Sequence, residues 1–252
     1  MSWRRWRSRD RRSDQELPRG WESIVRRNAP LWESLDPDER ANATEALRAV
    51  LAKRFEAAQG FSLDDEIRVT IAAQAALLAI ALDLACFDDV PSLVVHPTTV
   101  VIDRPRGTGI GAVVSEGAAV VGVAHDRRGP LVLAWDAVLE GARHPERGHN
   151  VVLHEFAHKL DLMDRVIDGT PIVDGELRAR WIRVCTAEFN ALRSGEPSAL
   201  NGYGATNPGE FFAVATESFF CQPIEVRERH RELYAVLADF YGQDPAARST
   251  NR

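Results

Sequence analysis

The sequence predicts an α+β protein. Helical patterns come first, short strands follow, and helices return to the end. The outer parts of the chain repeat apolar residues at three- and four-residue spacing, whereas residues 92–135 carry short β-branched runs bounded by Gly, Pro and charges. At 252 residues the chain can bury a substantial core.

From Trp21 to about Ala58 the pattern is helical, with Pro37 near the start of LDPDERANATEALRAVLAKRFEAA and Gly60 just past its end. A second helix is expected from Asp64 to about Leu84. The most apolar stretch, Thr70 to Phe87, is interrupted by Gln74 and Asp83. It reads as a buried core helix, not a membrane span. Strands are expected at Ser92–Ile102, Gly117–Ala124 and Gly129–Trp135. A helix should start near Asn150 and run to about Met163, followed by an Asp- and Gly-rich loop to Glu176. Another helix reaches about Leu192, and a loop spans Ser194 to Thr206. The next helix is stopped by Pro223, and a last one covers about Ile224 to Tyr241. The expected organisation is an Arg-rich flexible arm over 1–20, a single domain over 21–242 and a loose tail over 243–252.

Apolar residues make up 45% and charged residues 27%, so the composition is that of a soluble globular protein. A net charge of -6 argues against direct nucleic-acid binding by the body. The start, MSWRRWRSRDRR, has six arginines and two tryptophans. It reads as a solvated arm or as a contact for an anionic surface. Polar SDQELPRG follows where a secretory signal needs an apolar run. Cys86, Cys185 and Cys221 are odd in number, far apart and in apolar contexts. They read as core thiols, and a reducing, cytoplasmic location is expected.

The chemistry concentrates in NVVLHEFAHKLDLMD, Asn150 to Asp164. On a helix, His154 and His158 lie about 40° apart around the axis and one turn along, so both rings can meet one ion. Glu155 points to the side, where it can polarise a water. This is the HExxH arrangement for zinc, one ion per chain. A catalytic site needs a third protein ligand. Asp164 lies where metzincins place theirs, but the sharp turn of that class needs Gly at the position of Asp161. Glu210 and Glu217 are the other candidates. Asn207 and Pro208 suit the cap and first position of a helix, so Glu210 could serve as a capping residue at the third position. Glu217 lies mid-helix among apolar residues, as a ligand or as a carboxylate that holds a ligand histidine by its other nitrogen. The two are about 10 Å apart along the helix and cannot both bind one ion. Tyr203 precedes the helix. A phenol there reaches the metal only if the ligand is in the first turn, which favours Glu210.

GHNVVLHEFAHKLD, GPLVLAW and YGATNPGEFFAVATESFF together resemble the Mlc titration factor A family of zinc peptidases, from about Trp21 to Tyr241. YGATNPGEFFA is also similar to the catalytic segment of anthrax lethal factor, a gluzincin. The resemblance implies a zincin-like domain with N-terminal helices, a small sheet, an HExxH helix and a Glu-bearing helix. It implies His154, His158 and Glu210 as zinc ligands, Glu155 as base and Tyr203 as oxyanion donor. Lethal factor carries a carboxylate four residues after the ligand, where this chain has Val214. Glu217 is expected to take its place, an expectation that does not come from the resemblance. The implied function is a cytoplasmic, aminopeptidase-like enzyme acting on peptide or protein substrates. The alternative is a regulatory protein that sequesters a transcriptional repressor, with hydrolysis secondary.

Overall fold

Asp64 opens the helix around which the rest is assembled. Its side chain accepts the Ile67 N–H at 2.9 Å and starts α3 (Asp65–Leu78). Every residue from Val69 to Leu78 is buried, as expected of a helix that is apolar on all sides. Helices α1 (Trp21–Asn28), α2 (Pro37–Leu51), α4 (Trp135–Arg143) and α5 (Val151–Asp161) pack around it. The computed structural model describes residues 14–58, 60–98 and 129–250, with side chains as far as residue 248. The expected strand Gly117–Ala124, the end of Ser92–Ile102 and most of the Arg-rich arm lie outside the described residues.

The long N-terminal helix of the sequence reading is divided. A 3-10 turn, Pro30–Ser34, separates α1 from α2, and α2 stops at Leu51. Arg54–Ala57 is a strand, β1. It pairs in parallel with β2 (Ser92–His96), which pairs in parallel with β3 (Leu131–Ala134). Tertiary pairing therefore overrides the helical period at Arg54–Ala57. In β2, Leu93 and Val95 are fully buried, as expected of a strand covered on its inner face.

Other boundaries shift for local reasons. α3 ends at Leu78, and Asp83 caps a separate 3-10 turn, Leu84–Phe87. Trp135, expected as a strand end, instead begins α4, which buries Val138 and Ala142. The last long helix is two, α8 (Pro223–Arg229) and α9 (Arg231–Tyr241). The break is His230, whose φ of -130° and ψ of 54° are not helical. Its Nδ1 faces Glu188 at 2.8 Å and its Nε2 accepts the Ala199 N–H at 3.1 Å. The residues read as a loose tail carry α10 (Pro245–Thr250). Ala246 is fully buried there, and Arg248 grips Glu39 of the α2 capping box. A buried methyl and a charge partner give the end of the chain a reason to dock.

Two further helices complete the fold, α6 (Gly175–Arg193) and α7 (Pro208–Cys221). α7 lies against α5, and the packing of this pair positions the site. One loop locks their ends together. Asp161, the last residue of α5, accepts the Gly169 N–H at 3.0 Å, and Trp181 of α6 donates to the Gly169 carbonyl at 2.8 Å. Gly169 has φ +73°, and a Cβ there would run into the Pro208 carbonyl at the start of α7. Only glycine fits that turn and that approach.

Candidate metal centre

Asn150 starts α5 by accepting the Leu153 N–H at 3.1 Å. Of the helix that follows, every residue but Glu155 is buried. Asn207 starts α7 in the same way, accepting the Glu210 N–H at 3.0 Å. That bond occupies the backbone of Glu210 and leaves its carboxylate free to turn inward. Glu210 Oε2 lies 3.0 Å from His154 Nε2 and 3.4 Å from His158 Nε2. The two nitrogens are 3.2 Å apart. A tetrahedral ion with bonds of about 2.1 Å spaces its ligands about 3.4 Å apart, so this donor set fits a metal ion. Among the described residues, His154, His158 and Glu210 are the one group of three or more such side chains that could hold one.

Glu217 stands seven residues further along α7 and takes the other side of the same ring. It accepts from His154 Nδ1 at 2.7 Å and from the Asn150 N–H at 2.5 Å. With Nδ1 as the donor, Nε2 of a neutral His154 presents its lone pair to the site. Asp164 is exposed and accepts the Val166 N–H at 3.0 Å; it is not part of the donor set.

The charges of the site are tightly coupled. Burial opposes protonation of His154, but the charge of Glu217 and hydrogen bonds to Glu210 and Glu217 outweigh it, and the ring is held well above the ordinary histidine range. Burial likewise works against ionised Glu210, yet its hydrogen bonds to His154 and His158 pull it well below the ordinary carboxylate range. Both shifts favour a charge pair between the imidazole of His154 and the carboxylate of Glu210.

Tyr203 comes from a 3-10 turn, Gly202–Ala205, packed on α7. It is half-buried, its ring centroid lies 6.2 Å from that of His154, and its hydroxyl is close enough to Glu210 to feel its charge. Burial first, then the charge of Glu210, push the phenol well above its usual range. It stays a neutral donor. Glu155, half-buried beside His154, carries a charge felt by both His154 and Tyr203. His149 and Asn201 are also brought together without any signal in spacing; their side chains meet at 3.2 Å, two residues before Tyr203 in the case of Asn201.

The fold and this donor set define a zincin-like metallopeptidase domain. The chain belongs to the glucose-regulated metallo-peptidase M90 family, whose sequence profile it matches over residues 3–242. An uncharacterised protein of Synechocystis is 33% identical over 249 residues, covering 96% of this chain and 90% of the relative. The Mlc titration factor A proteins of Klebsiella pneumoniae and Salmonella agona are 31% and 30% identical, each covering 96% of this chain and 92% of the relative. Among the described residues, no helix is long and apolar enough to cross a membrane.

Proposed function

We propose that this protein is a zinc-dependent, aminopeptidase-like enzyme, with His154, His158 and Glu210 holding the ion. The observation that carries the reading is the meeting of Glu210 with both histidines, with the Tyr203 ring beside that of His154. When bound there, zinc would supply Lewis acidity and would lower the pKa of a water molecule to about 7. Glu155 would accept a proton from the water that attacks the scissile carbonyl carbon and would deliver it to the leaving amine. Tyr203, neutral and half-buried, donates its hydrogen bond to the oxyanion. Glu217 keeps His154 in one tautomer and one orientation. The test is Glu155→Gln. The variant should retain its metal and lose peptide hydrolysis, and undiminished hydrolysis overturns the mechanism.

A second reading is favoured by the relatives named for titration of Mlc. On this reading the protein sequesters a transcriptional repressor, and hydrolysis is secondary. Capture of such a partner by the Glu155→Gln protein supports binding as the main role.

A further inference from the structure

Tyr203 has glycine on both sides, Gly202 and Gly204. Such a segment has little conformational preference of its own, so contacts must set where the phenol points. Asn201 supplies two. Its Oδ1 accepts the Tyr203 N–H at 2.8 Å, and its amide nitrogen meets His149 Nε2 at 3.2 Å. Each contact fixes the other's chemistry. Oδ1 must face the N–H, so the amide nitrogen faces the imidazole. An amide nitrogen only donates, so the neutral ring carries its proton on Nδ1.

His149 is joined to Asn150, which caps α5 and whose N–H is held by Glu217. Glu217 in turn holds His154. One continuous set of contacts thus runs from Tyr203 through Asn201 and His149–Asn150 to the histidine of the metal centre. Both bridging side chains are exposed, so the bridge contributes little to stability. Its effect falls on the register between the phenol and the metal-bearing helix.

We propose that Asn201 and His149 form a bridge that positions Tyr203 over the metal centre. The proposal rests on the reading of Tyr203 as oxyanion donor. A misplacement of about 1 Å at a reacting group is enough to cost activity without changing affinity for substrate.

The experiment uses the full-length, zinc-loaded protein and a quenched-fluorescent peptide. Asn201→Ala should lower kcat about fivefold to twentyfold, with KM within about twofold, and with zinc content and Tm unchanged. His149→Ala should behave similarly. His149→Gln, whose amide oxygen can accept from Asn201, should recover most of the loss. Combining Asn201→Ala with Tyr203→Phe should be no slower than Tyr203→Phe alone. A second readout is independent of activity: the fluorine resonance of 3-fluorotyrosine at position 203 should shift or broaden in Asn201→Ala. An unchanged resonance overturns the bridge. So does an unchanged kcat in Asn201→Ala while Tyr203→Phe is impaired, and that result leaves the peptidase reading standing. If Tyr203→Phe keeps full kcat, the oxyanion role falls and the positioning proposal falls with it.

Discussion

Glu217 grips His154 by Nδ1 at 2.7 Å, while Glu210 meets the same ring at Nε2 at 3.0 Å. The two glutamates of α7 therefore serve one histidine from opposite sides. Glu210 faces the second histidine, and Glu217 faces the N-terminus of α5.

That division predicts different losses. Glu210→Ala should abolish tight zinc binding, since two histidines alone remain. Glu217→Ala should weaken it by roughly tenfold to a hundredfold, the usual effect of removing a partner of a ligand histidine. Zinc titration against a chromogenic chelator measures both. Loss in Glu217→Ala with retention in Glu210→Ala reverses the assignment.

Metal binding should be proton-coupled. His154 in the metal-free protein holds its proton well above the ordinary range, and the ion must displace it. Apparent zinc affinity should rise with pH through neutrality, with proton release measurable by calorimetry in buffers of different ionisation enthalpy. The stability of the metal-free protein has the opposite sign for this group. The raised pKa of His154 adds stability below its unfolded value, and that stability is lost as pH climbs through the folded one. Glu210, depressed, adds stability above its unfolded value that is lost as pH falls. Denaturant titrations of metal-free protein across pH should show both limbs, with the acid limb absent in Glu210→Gln.

Asp161 gives a third pH signal. Burial is the main reason its carboxyl is pushed up to about 6 from 3.8. The native state therefore binds more protons than the unfolded chain between those values, and stability should fall as pH rises through that window. At about 1.4 kcal/mol per unit the fall is about 3 kcal/mol. Asp161→Asn keeps an oxygen for the Gly169 N–H and cannot ionise. The same denaturant titrations on metal-free Asp161→Asn should be flatter between pH 4 and 6, and an unaltered slope there would show that another group is responsible.

Gly169→Ala should act on stability and on the site together. The new methyl meets the Pro208 carbonyl at a residue with φ +73°. A cost of about 2 kcal/mol or more is expected in chemical denaturation. Because Pro208 begins the helix that carries Glu210, zinc affinity should fall as well. A loss of stability with affinity intact would mean that the loop does not position Glu210.

Much of this site was legible in the chain. Four-residue spacing placed His154 and His158 on one helix face, and Asn207 with Pro208 marked the start of α7. Capping made Glu210 ambiguous, because its backbone N–H is indeed capped by Asn207. Both roles hold at once: the cap uses the backbone N–H of Glu210 and leaves its carboxylate for the histidines. Residues 54–57 misled for another reason. Their apolar spacing suits a helix, and only pairing with β2, far away in sequence, makes them a strand. His230 broke a helical pattern through Glu188 and Ala199, neither of which is near it in sequence.

The α+β class, the helix that carries HExxH and the chemical types at the candidate site are legible in the chain, because these follow from short-range periodicity and from which atoms can bind an ion. Only packing sets which glutamate meets which side of His154, which side chain meets the Tyr203 N–H and where the helices end. Those outcomes depend on the packing of α5 against α7 and on a loop pinned at Gly169. Contacts between residues tens of positions apart leave no period in the chain, and distances of about 3 Å are set only when both elements are packed.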